Sequence, residues 1–367
     1  MKRPEFLASL TPRTVAAISV TLAIGTVGGF IADKLTLPLP WMIGALLITL
    51  IAALSGAKLR NPRKLRTYMT TLLGVMLGSG FTPEIFNQAA KWPISLTAVI
   101  VFVFCVGGLA IFCLYRILKL SFVNAFFGAS PGALAEMIVL TREYGGDERI
   151  VTLMHSVRLM LTVLIIPFWF RFYYGYTPAV RDAATSGHAD ISVLDLSLLL
   201  LCAVVGYLGG KKIRLPAYQI LGPMLLSAAL HITGVTSANL PDILIMIAQV
   251  VFGAALGCQF VNVSLREVSR IVIASGGVTI LFIGMAAVFA GVLEAWTGLP
   301  FNALLLAFAP GGLVEMTLIS LSLNIDIAFI STHHVFRVIF LLLAAPLIFL
   351  WIAPKFGVVL PPRNGRH

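Results

Sequence analysis

Charge is scarce in this sequence. Only 11% of its 367 residues are Asp, Glu, Lys or Arg, while 59% are hydrophobic and the mean hydropathy is +0.98. A water-soluble chain of this length needs far more polar surface to cover its core, so a soluble fold is excluded. Acidic residues are the scarcer sign, 15 against 26 basic ones. The resulting charge of +11 does not call for a nucleic-acid partner, because membrane proteins concentrate Lys and Arg in cytoplasmic loops. Cysteine is nearly absent. Cys105, Cys113, Cys202 and Cys258 stand singly in apolar runs with no metal or redox spacing. No convincing cleavable signal is present, and Lys2 and Arg3 before a long first run fit an uncleaved signal anchor.

What remains is apolar runs of about 20 residues, each long enough to cross a hydrocarbon core of about 30 Å as a helix. Continuous runs select helices over a barrel, so the expected fold is an all-α integral membrane protein. Runs lie near 14–32, 38–55, 67–82, 93–115, 121–140 and 150–170, and again near 193–210, 216–233, 242–260, 271–295, 301–322 and 327–352. The expected division is a first membrane repeat at 1–171, a linker at 172–191, a second repeat at 192–353 and a short tail at 354–367.

The two halves are copies. Pro131, Gly132, Ala133, Glu136, Met137, Asp147, His155, Arg158 and Pro167 recur as Pro310, Gly311, Gly312, Glu315, Met316, Asp326, His334, Arg337 and Pro346, each 179 positions later. Only Ala133 differs from its partner, Gly312. Leu37, Pro38 and Gly44 match Leu215, Pro216 and Gly222 at 178, and Gly74, Gly78 and Phe81 match Gly253, Gly257 and Phe260 at 179. Glycines four apart predict close helix contact. So long a period means duplicated halves rather than a solenoid.

The fifth run of each half carries a helix-breaking step, Ser130-Pro131-Gly132 or Ala309-Pro310-Gly311. Such a run is a broken spanning helix or a re-entrant hairpin, and charge counting separates the two. With hairpins, each half has five spans and the halves are inverted, which puts 20 Lys and Arg inside against 4 outside. With full spans the count becomes 15 against 9. The positive-inside rule favours the inverted arrangement, with both termini cytoplasmic. Trp41, Trp92, Trp169, Trp296 and Trp351 all fall near run ends, where their rings favour the membrane interface.

Arg158 and Arg337 lie well inside their runs, where charge is costly and faces a partner or a polar cavity. His155 shares a helix face with Arg158, and His334 with Arg337. Glu136 and Glu315 are the acids well inside apolar runs. Internal Glu–Arg pairs that lock the halves together are one reading; a substrate or ion site built from the same residues is the other. A helix starting after each break, capped by Ser130 and led by Pro131, would offer free N–H groups and a partial positive charge. Paired discontinuous helices in inverted repeats point to a transporter site near the midplane. The expected substrate site is Ser130, Pro131, Gly132, His155, Arg158, Pro310, Gly311, Gly312, His334 and Arg337, with Glu136 and Glu315 carrying the coupling ion. Asp147 and Asp326 read as helix N-terminal acids, and His333 has no metal spacing.

The doubled S/A-P-G-G-x-x-E-M motif, each copy followed by D and H-x-x-R, resembles the bacterial AbrB membrane family over residues 15–352. That family is also labelled ammonia monooxygenase, and one member is described as a regulator of aidB. Its fold is thought to be similar to secondary transporters of the cation/proton antiporter and anion transporter group. The departure at Ala133 bears on close backbone approach at the first break. The expected function is therefore a secondary transporter of a small solute, such as an organic anion, coupled to protons or cations in the bacterial inner membrane. The alternative is a membrane-embedded sensor or regulator without transport. Oxygen chemistry is not expected, because each cassette offers one His beside a cation rather than a ligand set. No enzyme activity, cofactor or metal is expected. The expected partners are the lipid bilayer, the solute, the coupling ion and, as an option, a second copy in a homodimer.

Overall fold

The computed structural model describes residues 12–81, 90–175, 192–263 and 265–358. The expected 172–191 linker lies outside these beyond residue 175, as does the tail beyond residue 358. Among the described residues the chain is helical and has no strand. The first half gives α1 (Pro12–Lys34), α2 (Pro40–Leu54), α3 (Arg63–Gly78), α4 (Trp92–Phe112), α5 (Phe122–Ala129), α6 (Leu134–Glu143) and α7 (Glu148–Tyr174). The second half gives α8 (Val193–Lys212), α9 (Tyr218–Ile232), α10 (Asp242–Gly257), α11 (Leu265–Thr297), α12 (Phe301–Phe308), α13 (Leu313–Leu323) and α14 (Ile327–Ile352). The order of long and short helices repeats as the cassette does.

Among the described residues seven helices are long and apolar enough to cross a bilayer. This is fewer than the ten spans expected. Helices α2, α3 and α9 hold only 15, 16 and 15 residues, or about 22–24 Å of rise. Proline explains two of these late starts. Pro38 and Pro40 flank a left-handed Leu39 before α2, and Pro216 precedes a left-handed Ala217 before α9. The basic cluster Arg63, Lys64 and Arg66 occupies the first turn of α3.

The chain forms two compact units, each drawing on both halves. The first unit holds α1–α3 and α8–α10, with the end of α7 and of α13. Small residues bring its helices together. A side chain on Gly28 would run into the backbone of Gly44, and one on Gly206 into that of Pro223 and Gly222. Gly74 and Gly78 press α3 onto the Ile220 and Met224 carbonyls of α9, and Gly253 and Gly257 press α10 onto α2 at Met42 and Leu46. The glycine pairs therefore mediate close helix contact, as their spacing predicts. The contacts are reciprocal: α3 of the first half meets α9 of the second, and α10 of the second meets α2 of the first.

The second unit holds α4–α6, most of α7, α11, α12, the start of α13 and most of α14. Its aromatic core joins Phe122, Phe126, Phe127 and Tyr144 to Phe349, and Phe122 stacks on Phe356 with centroids 4.1 Å apart. Tryptophan behaves less uniformly than expected. Trp169, Trp296 and Trp351 are exposed, and Lys355 sits 4.1 Å from the Trp351 ring. Trp92 instead packs inward on Phe329 and His333. Trp41 lies against Gly29.

Candidate functional site

In each half a proline ends a short helix inside the apolar sequence. Helix α5 has 8 residues and α6 has 10; α12 has 8 and α13 has 11. None approaches the length of a span. In a continuing helix the Pro131 nitrogen would serve the Phe127 carbonyl, and the Pro310 nitrogen that of Leu306, but proline has no N–H. Two histidines supply the missing donors. His155 Nε2 lies 2.9 Å from Phe127 O, and His334 Nε2 lies 2.9 Å from Leu306 O.

The opposite ring nitrogens hold the arginines. His155 Nδ1 is 2.8 Å from Arg158 Nη2, and His334 Nδ1 is 2.8 Å from Arg337 Nη2. A carbonyl only accepts and a guanidinium only donates. Each imidazole is thereby fixed as the neutral Nε2–H tautomer, with both nitrogens engaged. The guanidiniums then close onto the break. Arg158 Nη1 donates to Ser130 O. Arg337 Nη1 donates to Ala309 O at 2.7 Å and Phe308 O at 3.4 Å, and its Nη2 donates to Gly311 O at 3.0 Å. Each arginine thus caps the carbonyl end of a short helix, where the partial charge is negative. The partners of both guanidiniums are carbonyls and imidazoles rather than the carboxylates of the ion-pair alternative.

The chain turns back at the first break. Asn124, in the first turn of α5, accepts from the Asp147 backbone nitrogen beyond α6 at 2.8 Å. Asp147 itself caps α7, its Oδ1 accepting from the Arg149 nitrogen at 2.8 Å, as expected of a helix N-terminal acid. The segment α5–α6 is therefore a hairpin and not a broken straight helix. Its two ends lie beside the end of α14, through Phe122 with Phe356 and Tyr144 with Phe349.

The tips converge on the arginines. A side chain on Gly132 would meet Leu341 Cδ1 at 3.2 Å and Arg337 Nε at 3.8 Å, and one on Gly312 would meet Leu159 Cδ2 at 3.6 Å. The first tip therefore lies at the arginine of the second cassette, and the second tip lies against Leu159, the residue that follows Arg158. Ser130, Pro131, Pro310 and Gly311 are buried, as are both histidines and both arginines.

Two expected details differ. Ser130 does not cap the following helix; its hydroxyl donates to Gly132 O at 3.2 Å. Helix α6 begins at Leu134 after a left-handed Ala133, so Pro131 is not its first residue. The proline instead ends α5, whose last carbonyls the His–Arg pair takes up.

The glutamates are not equivalent. Glu315 is 2% exposed, and a Cβ on Gly312 would collide with its Oε2. Gly312 precedes the first residue of α13 and Glu315 is the third, so the carboxylate folds back over the helix start. At the first break Ala133 carries a Cβ where Gly312 has none, and Glu136 is only half-buried.

Several residues join the site that sequence reasoning missed. Phe282 of α11 lies 5.6 Å from the Arg158 guanidinium. Ser275 and Thr279, one turn apart on α11, are buried beside it. His333 bonds Ser95 Oγ at 2.8 Å and Phe329 O at 2.7 Å. The four-residue spacing of Ser275 and Thr279 in an apolar run was the signal available for that pair. No group of three or more metal-ligating side chains occurs among the described residues.

The family model described as "Transition state regulatory protein AbrB" matches residues 41–353. The chain is 28% identical over 346 residues to "Uncharacterized protein YhjN" of Bacillus subtilis (strain 168), covering 89% of this chain and 90% of that one. It is 27% identical over 349 residues to "Putative regulator AbrB" of Escherichia coli (strain K12), covering 93% and 97%.

Proposed function

The chain belongs to the AbrB family, and on that footing we propose that this multi-pass membrane protein is a secondary transporter of a small anionic solute. One observation carries the reading: two interrupted segments, one per repeat, meet at two buried arginines held by two histidines. Discontinuous helices paired across repeats are how transporters place a polar site at membrane depth without exposing free backbone groups to lipid.

The inverted arrangement of the repeats is part of the proposal. A hairpin at α5–α6 leaves five crossings in the first half, so the second half starts on the opposite side. Contacts within each unit support this. Arg171 donates to Thr36, and Lys91 Nζ donates to Thr297 O at 2.9 Å. Each pair shares a side only if α5–α6 does not cross. Gly80 lies against Ile327, which suits a second hairpin at α12–α13.

The solute's negative group lies at Arg158 and Arg337, beside Ser130, Pro131, Gly132, Pro310, Gly311 and Gly312. Arg guanidinium keeps its charge and suits a constant anion site. His155 and His334 orient the arginines rather than shuttle protons, since both ring nitrogens are engaged. Glu136 and Glu315 carry the coupling proton or cation. The protein lies in the bacterial inner membrane with both termini cytoplasmic.

Uptake of radiolabelled small organic acids into proteoliposomes, with and without an imposed proton gradient, tests the reading. Gradient-dependent uptake of at least one acid, lost on Arg158→Gln, is expected. Binding of an acid with no movement across the bilayer would sink transport and leave the sensor alternative.

A further inference from the structure

Two polar atoms beside the first cassette are buried without a hydrogen-bond partner: Nε of Arg158 and Oγ of Ser275. Their residues are 4% and 2% exposed. Both line one small cavity, together with Thr279, Gly128, Met154 and Val278. Its volume is about 10 Å³, room for the centre of a single water-sized atom. Thr279 turns its hydroxyl hydrogen to Ser275 O at 2.6 Å. Two hydrogens are thus left for the space, on Arg158 Nε and on Ser275 Oγ.

Charge decides what fits between them. The partners of Arg158 are a carbonyl, a neutral imidazole and an aromatic ring, none of which cancels its charge. Arg337 adds a second buried positive charge at Gly132, two residues beyond the Ser130 carbonyl that Arg158 holds. A buried cation without a counter-charge is costly, and a water molecule would satisfy the donors without supplying one. We propose that this cavity seats one atom of an anion, a halide ion or one oxygen of a carboxylate, held by Arg158 Nε–H and Ser275 Oγ–H. The proposal rests on the reading of Arg158 as part of the solute site and narrows it to one half. The positions 179 earlier than Ser275 and Thr279 are Leu96 and Ile100, and Arg337 Nε faces the Gly132 tip instead. Arg337 Nε is likewise buried without a partner, but it has no counterpart of the Ser275 hydroxyl, so among the described residues the two-donor seat is the one at Arg158.

The test uses purified full-length protein in detergent with HEPES, a bulky sulfonate, as the sole anion. Thermal unfolding is followed while chloride, bromide, formate or acetate replaces HEPES at constant ionic strength. A saturating rise in unfolding temperature is expected, as for any ligand that binds only the folded state. A response to the halides alone assigns a halide seat, and one to formate and acetate assigns a carboxylate oxygen. Ser275→Ala should raise the half-saturating concentration at least tenfold, while Ser275→Thr keeps the response. In HEPES alone Ser275→Ala should be at least as stable as the unmodified chain, because the hydroxyl it removes has no partner. Absence of saturation with all four anions, or the same titration for Ser275→Ala as for the parent, overturns the proposal. The assay involves no movement across a membrane, so a protein that binds anions but fails the uptake experiment keeps the seat and loses only the transport reading.

Discussion

The Nε2–H of His155 occupies the place left by the missing amide hydrogen of Pro131, 2.9 Å from the Phe127 carbonyl. His334 does the same for Pro310 at Leu306. Proline and histidine, 24 residues apart in each cassette, are thus two parts of one hydrogen bond. Replacing His155 or His334 by Ala removes that donor from the carbonyl and strands one guanidinium N–H. A stranded buried group costs about 1–3 kcal/mol, so both variants should unfold at clearly lower temperature, and by similar amounts. Equal stability of His155→Ala and the parent in a detergent melt would contradict this account.

The two arginines should not respond alike to neutralisation. Arg337 holds three carbonyls and Arg158 holds one. Hydrogen bonds to charged groups contribute about 1.5–3 kcal/mol each. Arg337→Gln is therefore expected to be the less stable variant by several kcal/mol, whereas Arg158→Gln should remain folded but lose anion-dependent stabilisation. Thermal melts of both variants, with and without chloride, formate and acetate, read the two effects separately.

Exchanging the residues at the helix starts should move stability in opposite directions. Ala133 has φ +54°, a left-handed conformation that costs an L-residue about 1–2 kcal/mol. Ala133→Gly should raise stability by up to about 1 kcal/mol. Gly312→Ala should lower it modestly, because the new Cβ displaces the Glu315 carboxylate from its buried place at the helix start. Differential scanning fluorimetry of the two variants gives the sign directly.

Topology is open to chemical labelling. Single cysteines at Gly145 and at Ile213, in a background without native cysteines, are both expected to resist an impermeant thiol reagent in intact cells. A cysteine at Gly298 should react with it. Labelling of position 145 from outside would be incompatible with an α5–α6 hairpin that enters and leaves by the cytoplasmic face.

Much of this was legible without coordinates. The shortage of charge and the long apolar runs dictate a helical membrane protein, because lipid leaves the backbone no other continuous partner. The 179-residue repeat marks the duplicated halves, and the Pro-Gly steps mark where helices must stop, since proline lacks a donor. The glycine pairs announced close contact, which the structure realises between α3 and α9 and between α2 and α10. What one-dimensional order does not contain is direction. The sequence places Arg158 on a helix face, but only the fold turns its guanidinium onto the Ser130 carbonyl rather than onto Glu136. The partner of a long side chain is chosen by whichever groups the tertiary structure strands nearby. The same holds for Ser275, which looks like any small residue of an apolar helix until α11 is packed beside Arg158. Its unpartnered hydroxyl arises from the distance between two helices more than 100 residues apart in sequence, which local periodicity cannot encode.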